Sequence, residues 1–202
     1  MRCFKLTCCY QYFKELLPVA EEETNPPQRF SQLNLPFELV QLSNAFPFGL
    51  RSCPHDNTLF VSYLPSHEKA THLVDLYYKN VAWMYDPVVR QDFLTTILNP
   101  LYGTPGFANL KYIHSDHLTI FFVALAEGAS FDSHPAAQTT SHQYYTLARA
   151  AFSLSQISDK ATTATVQALF MLIRLLYNFD PKWNEKRWLL LGICAKLVLR
   201  VS

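Results

Sequence analysis

The sequence SDHLTIFFVALAEG, residues 115–128, decides the fold class of this chain. Ser115 and Asp116 are typical of a helix start, because their side-chain oxygens can accept hydrogen bonds from the unpaired N–H groups of a first turn. The residues that follow are apolar on nearly every side of a helix, which predicts a helix buried on most of its faces. The sequence on both sides supplies further helices to bury it.

Five further segments carry apolar residues at spacings of three and four, the period of an amphipathic helix. Ser66 is predicted to cap the first, and Asp86-Pro87 and Asp180-Pro181 each combine a capping Asp with a Pro at the first helical position. The predicted helices span about 66–85, 87–98, 115–128, 135–156, 158–177 and 182–202. Because no strand-length run of β-branched residues occurs, the sequence predicts an all-α fold, an irregular array of about six helices.

Three parts are predicted along the chain. Residues 1–29 form an N-terminal segment and linker, because three consecutive glutamates repel one another and two prolines block a helix. Residues 30–65 are a Pro-rich lead-in with one short helix from about Pro36 to Asn44. Residues 66–202 form the helical domain, which is expected to be incomplete, because no stop signal follows its last helix.

Composition excludes several classes of protein. Of the 202 residues, 50% are hydrophobic and 16% are charged, which excludes a chain that is disordered throughout. The net charge of +1 does not support a strongly basic nucleic-acid-binding domain. The five cysteines are odd in number and irregular in spacing, so they do not indicate a disulfide scaffold. Neither a signal peptide nor a membrane span is predicted, since polar or charged residues interrupt the apolar runs.

A metal site is the first chemical hypothesis. His114 and His117 are three residues apart at a helix start, and this spacing can bring two imidazoles to one metal ion. No third ligand is evident, and a solvated first helical turn explains both residues without a metal. Cys3, Cys8 and Cys9 lack the C-x-x-C spacing of a zinc site, so they are interpreted as incidental or core thiols. We therefore predict no metal ligand and no other cofactor in this chain.

No catalytic residue is predicted. Ser66 and Lys69 match the S-x-x-K pattern of a nucleophile and its activating lysine, but the companion K-T-G is missing and a helix cap already explains Ser66. Glu127 and Asp132 lack the support that a general acid–base pair requires. A group of aromatic residues is interpreted either as the wall of a ligand pocket or, more often, as core. This group consists of Tyr77, Tyr78, Trp83 and Tyr85.

Several motifs follow one another in a recognisable order. The blocks are LPFELVQLSNAFPFG (35–49), LVDLYYKNVAWMYDPVVRQDF (73–93, after Leu64-Pro65), LTIFFVALAEGASFD (118–132), QYYTLARAAF (143–152), TVQALFMLIRLLY (165–177) and WLLLGICAKLVLRV (188–201). The motif residues within them are Leu76, Tyr77, Tyr78, Asp86-Pro87, Phe93, Tyr145, Ala148, Arg149, Ala151, Val166, Gln167, Ala168, Leu169, Trp188, Gly192 and Ala195. Together these blocks resemble the fungal-specific transcription factor domain, the middle homology or regulatory region of fungal regulators that carry a binuclear zinc cluster.

The resemblance implies a nuclear regulatory domain that controls transcription by RNA polymerase II. In the family this helical domain lies between a six-cysteine zinc cluster and an activation segment, and in some members it responds to a small molecule. The six-cysteine cluster is absent here, so zinc and DNA binding would belong to a missing part. The implied partners are the transcription machinery or a full-length regulator. No enzyme activity and no membrane association are expected.

Two other functions remain open beside a regulatory domain. One is a helical enzyme or small-molecule-binding protein, which would use the aromatic residues as a pocket and His114 or His117 as a base or metal ligand. The other is a non-functional fragment, because removing a helix from a bundle exposes apolar faces. For the regulatory domain we expect a bistable helix bundle in which a ligand or partner binds one packing better. We also expect unburied apolar surface, since the last motif stops early at Ser202.

Overall fold

A computed structural model describes residues 33–50, 53–103, 110, 113–157, 161–179 and 184–201. The chain divides into two units, Met1–Leu35 and Pro36–Ser202, and the helices of the described residues belong to the second. They are α1 (Phe37–Asn44), α2 (His67–Tyr77), α3 (Arg90–Phe93), α4 (Asn99–Tyr102), α5 (Ser115–Ala129), α6 (Ala137–Phe152), α7 (Thr163–Phe179) and α8 (Asn184–Val201), with a 3₁₀ helix at Asn57–Tyr63 and π turns at Tyr78–Ala82 and Leu94–Leu98. The described residues contain no β-strand, so the predicted all-α fold is confirmed.

Helix α5 lies at the centre of the fold, as its sequence predicts. Of its 15 residues, 14 are buried, and only His117 is partly exposed. The helix packs against α2, α6 and α7. The ring centroids of Phe60 and Tyr144 lie 5.7 and 6.1 Å from that of Phe122 in this core. Burying a Leu or Phe side chain stabilises a fold by roughly 1.5–3 kcal/mol, so α5 contributes a large share of the apolar burial.

Gly128 permits the close approach of two helices. It faces Leu73 of α2, and a Cβ at this position would stand 2.0 Å from the carbonyl oxygen of Leu73. That oxygen belongs to the backbone, so it cannot move aside without shifting a whole helix. Only glycine therefore allows α5 and α2 to pack at this distance.

Ser66 begins α2 in the way that the sequence predicts. Its Oγ accepts the backbone N–H of Lys69 at 3.3 Å, which satisfies one donor of the first turn. The helix then continues through the π turn Tyr78–Ala82, whose wider spacing accommodates one extra residue per turn. The predicted cap is therefore a feature of the folded chain.

The predicted helix start at Asp86-Pro87 is wrong. Helix α3 begins at Arg90, and no side chain caps it. The Pro87 carbonyl instead accepts the side-chain amide of Gln167 at 2.7 Å, and the Val88 carbonyl accepts the Tyr78 hydroxyl at 2.8 Å. These carbonyls thus accept side-chain donors that lie 80 and 10 residues away, rather than backbone N–H groups of a helix.

Pro100 does not end a helix, although the sequence predicts a stop at Asn99-Pro100. Helix α4 runs through it to Tyr102. The π turn Leu94–Leu98 comes directly before it, and this wider turn changes the hydrogen-bond ladder at the point where a proline lacks its N–H. The helical path therefore continues past Pro100 although this residue has no N–H to donate.

The helices after α5 differ from their predicted bounds mainly at the ends. Helix α6 is shorter at both ends than the predicted range 135–156. Beyond its last turn, the Gln156 amide donates to the Leu50 carbonyl at 2.9 Å, which holds the chain in a non-helical path. The predicted starts of the last two helices, at Ser158-Asp159 and Asp180-Pro181, lie outside the described residues.

The other helices pack around α5, either directly or through a neighbouring helix. Helix α1 packs against α6, α7 packs against α5, and α8 packs against α7. Residues 36–65 of the Pro-rich segment, which include α1, therefore belong to the same compact unit as the later helices. Within the described ranges, no helix combines the length and apolar character that a bilayer crossing requires.

Candidate functional site

A buried ion pair joins the two most apolar helices. Glu127 of α5 and Arg174 of α7 are 3.2 Å apart, from Oε2 to Nη2. The glutamate side chain is 2% exposed and the arginine side chain 24%. Because a buried charge is costly without a partner, this pair favours one relative position of α5 and α7.

Aromatic side chains lie near this ion pair. The Arg174 guanidinium lies 5.7 Å from the ring centroid of Tyr85, and that ring meets Phe170 edge-on at 6.1 Å. Tyr77 is buried, and burial, together with the nearby charge of Glu127, raises the pKa of its hydroxyl. We call Glu127, Arg174, Tyr77, Tyr85 and Phe170 the ion-pair cluster.

Glu127 can change its protonation state near neutral pH. Burial raises the pKa of its carboxyl from 4.5 to about 7, and the attraction of Arg174 acts in the opposite direction. A carboxyl group with such a pKa is suited to general acid or base catalysis when a substrate can reach it. This carboxyl is enclosed by the core, however. The arrangement is therefore better suited to coupling charge to helix packing than to turning over a substrate.

The segment between the second and third helices is fastened to α7 at two points. Its Tyr85 ring lies against Phe170 and Arg174. Two residues further on, the Pro87 carbonyl accepts the Gln167 amide. These contacts attach residues 83–89 to α7, next to the buried carboxyl of Glu127. We call this attachment the joint between residues 83–89 and α7.

The two histidines of the metal hypothesis lie at the start of α5. The Nδ1 atom of His114 accepts the backbone N–H of Asp116 at 3.3 Å, so His114 is the N-cap of this helix. Burial, and then the neighbouring His114, lowers the pKa of His117. In the part of the chain that the structure describes, no group of three or more His, Cys, Asp and Glu side chains could hold a metal ion.

Asp116 has a structural link that the sequence does not reveal. It is 1% exposed, and its Oδ2 accepts the hydroxyl of Thr165 at 2.6 Å, which ties α5 to the first turn of α7. Oδ2 also lies 3.3 Å from Nδ1 of His114, an ion pair when the imidazole is protonated. Oδ1 is buried and has no hydrogen-bond partner among the residues that the structure describes. Since Thr165 is 49 residues away, no local spacing could have predicted this contact.

The other candidate residues are not brought together into one site. Ser66 and Lys69 are both exposed, and the Ser66 hydroxyl is used as the cap. Asp132 lies 3.9 Å from Nε2 of His72, whereas Glu127 pairs with Arg174, so the two acids have different partners. The candidate thiols Cys3, Cys8 and Cys9 lie outside the described residues.

The four aromatic residues are divided between the core and the surface. Tyr77 is buried and Tyr78 partly buried, whereas Trp83 and Tyr85 are 72% and 50% exposed. The core interpretation therefore holds for Tyr77 alone.

Sequence reasoning also missed Arg174 as a site residue. Its signal is present, because Glu127 and Arg174 are opposite charges within the two most apolar stretches of the chain.

Comparison with known proteins finds no family model, no curated protein and no solved structure that matches this chain. Its function must therefore be inferred from its own residues. The observations that bear on function are the ion-pair cluster, the joint between residues 83–89 and α7, and the ordered motifs of the sequence.

Proposed function

We propose that this chain is a regulatory helical domain of the kind found in fungal zinc-cluster transcription factors; the sequence itself carries no six-cysteine cluster. It acts in the nucleus through protein contacts and not by catalysis. Its partners are the transcription machinery or a full-length regulator, and a small molecule is a further candidate effector. Because residues 1–202 include no six-cysteine cluster, we assign no zinc ligand and no DNA contact to them.

The supporting observation is a hydrogen bond between two motifs of the resemblance. Gln167, in the Val-Gln-Ala-Leu motif, donates to the carbonyl of Pro87, in the Asp-Pro motif, at 2.7 Å. Within a third motif, the guanidinium of Arg149 lies 5.6 Å from the ring centroid of Tyr145. The motif residues thus contact one another in the fold, as residues that serve one shared structural purpose would.

The mechanism we propose is a shift between two helix packings. The joint between residues 83–89 and α7 lies beside the buried carboxyl of Glu127, so a partner that binds this segment also acts on the ion-pair cluster. Such a partner changes the populations of the two packings only by its difference in affinity for them. Moving the ratio from 1:99 to 99:1 takes a difference of about 5.5 kcal/mol.

A tethering experiment tests the regulatory role. The chain is placed between an unrelated DNA-binding domain and an acidic activation segment, and reporter output is measured in fungal cells. We expect output to fall at least threefold relative to a direct fusion. The variant Gln167→Ala should restore part of the output, because it removes the hydrogen bond to Pro87.

Gln138→Ala is the matched control, since Gln138 is an exposed glutamine on α6. It should behave as the wild-type chain does. Immunoblots and circular dichroism of the purified variants establish equal abundance and equal helix content. If the wild-type chain leaves reporter output at the level of the direct fusion, the proposed regulatory role is wrong.

A second candidate function is a helical enzyme, which the contact between His114 and Asp116 favours. Their Nδ1 and Oδ2 atoms are 3.3 Å apart, and a carboxylate at this distance can orient an imidazole base when Nδ1 carries the proton, a state in which Nδ1 no longer accepts the Asp116 N–H as the helix cap. The test is metal analysis by mass spectrometry of the purified chain and of a variant with His114→Ala and His117→Ala. Stoichiometric metal in the wild type that is lost in the variant would support the enzyme. Metal-free protein of unchanged behaviour would dispose of its metal-dependent form.

A further inference from the structure

Helix α8 is apolar on two opposite sides. Its inner side packs on α7 and buries Leu190, Cys194 and Leu197. A helix advances by about 100° per residue, so the side opposite to these three carries Trp188, Ala195 and Leu199, with Leu191 at its edge. Trp188 is 74% exposed and Leu199 is 81% exposed. An ordinary surface helix has one apolar side, so the outer side needs a separate explanation.

Small residues lie in the middle of this outer stripe. Gly192 and Ala195 are both exposed, and a Cβ added to Gly192 would have no atom within 4 Å. Packing among the described residues of a single chain therefore does not require glycine here, although glycine in a helix costs about 1 kcal/mol relative to alanine. The large ring of Trp188 stands one helical turn before this shallow region, so the stripe contains both a projection and a depression.

The charges beside the stripe are arranged to suit a second copy in antiparallel orientation. Glu185 and Lys196 are both exposed, and the helical period places them on the same flank of the stripe. Around a two-fold axis, that flank of one copy faces the same flank of the other. Glu185 of one copy then lies level with Lys196 of the second copy. In a parallel pair this flank would instead face the opposite flank of the second copy, so Glu185 and Lys196 would not meet, and both tryptophans would lie at the same level.

We propose that two copies of this chain associate through the outer stripe of α8 in antiparallel orientation. The Trp188 ring of each copy occupies the depression at Gly192 and Ala195 of the other, and two Glu185–Lys196 pairs flank the contact. This is a self-complementary, closed two-fold interface. Because it is one helix wide, it is smaller than a standard interface, and we expect a dissociation constant of roughly 10–100 µM.

Sedimentation equilibrium of the full chain, at about 1 to 200 µM protein, tests the association. We expect a monomer–dimer equilibrium, and Trp188→Ala should raise the dissociation constant at least about tenfold. The matched control is Phe37→Ala on α1, because Phe37 is 75% exposed, as Trp188 is at 74%. This control should leave the dissociation constant within about twofold of wild type.

Charge reversal tests the orientation. Glu185→Lys and Lys196→Glu should each weaken association, and the double variant should restore it, because the pair is then reversed rather than broken. Circular dichroism verifies that all variants remain folded. A chain that stays monomeric at 200 µM, or a dimer insensitive to Trp188→Ala, would overturn the proposal, and weakening without rescue would overturn the antiparallel orientation. These outcomes are independent of the tethering experiment.

Discussion

The buried carboxyl of Glu127 makes a quantitative prediction about stability and pH. Glu127→Gln replaces the carboxyl with an amide of nearly the same shape, which can still accept the hydrogen bond from Arg174. Its main effect is to remove the ability to ionise. The comparison of the two proteins at several pH values therefore isolates the cost of the buried negative charge.

The sign follows from the raised pKa. Burial raises the pKa of Glu127 from 4.5 to about 7 in the folded chain, so between these values the folded state holds the proton more tightly than the unfolded state. The wild-type free energy of unfolding therefore falls as pH rises through this window and is constant above it. At about 1.4 kcal/mol for each pKa unit, the loss between pH 5 and pH 8 is about 2.5 kcal/mol.

Urea denaturation at pH 5, 6.5 and 8 measures this difference, provided that unfolding is two-state. We expect the variant to lie within about 1 kcal/mol of wild type at pH 5 and to gain about 2–3 kcal/mol relative to it by pH 8. The lowered pKa of His117 affects both proteins equally and cancels in the comparison. Glu38→Gln on α1 is the control, because Glu38 is exposed. A difference between wild type and Glu127→Gln that stays the same at all three pH values would refute the reasoning.

Two further predictions concern packing and capping, and both are measured by urea denaturation at low protein concentration. Gly128→Ala should cost about 3 kcal/mol or more, because its Cβ would stand 2.0 Å from the Leu73 carbonyl oxygen. Gly192→Ala should instead stabilise the chain by about 0.5–1 kcal/mol, and equal effects at the two glycines would contradict the packing of α5 on α2. Ser66→Ala should cost about 1 kcal/mol as a lost helix cap. Lys69→Ala should change stability by less than about 0.5 kcal/mol, because only the backbone of Lys69 takes part, and an equal loss for both variants would speak against the cap.

If the proposed regulatory role and the proposed dimer hold, the ion-pair cluster and the outer stripe of α8 would provide two different routes to regulation. The cluster would couple the protonation of Glu127 to the packing of α5, α7 and residues 83–89. The stripe would couple the concentration of the chain to its assembly. Because α8 packs on α7, and α7 carries Arg174, a partner on the stripe would act on the same helix as the cluster. The difference in stability between monomer and dimer would then change with pH between about 4.5 and 7, the range over which the folded and unfolded states differ in the protonation of Glu127.

Helix positions could be predicted from sequence where local interactions decide them. The apolar run of residues 118–126 predicts a buried α5, and Ser66 predicts the start of α2, because helix period and capping involve residues within one or two turns. The prediction failed at Asp86-Pro87 for a specific reason. The Pro87 carbonyl finds its partner in Gln167, 80 residues away, and this bond outweighs the local preference for a helix start.

Sequence alone thus determined the helical class of this protein, the burial of its central helix and the residues that cap its second helix. All three depend on contacts within a few residues along the chain. Only the tertiary structure decided that Glu127 pairs with Arg174, that Asp116 accepts the Thr165 hydroxyl, and that α8 presents an apolar side to solvent. These features join residues that are 47 and 49 positions apart, or depend on which helix covers which face, and such choices are made by packing.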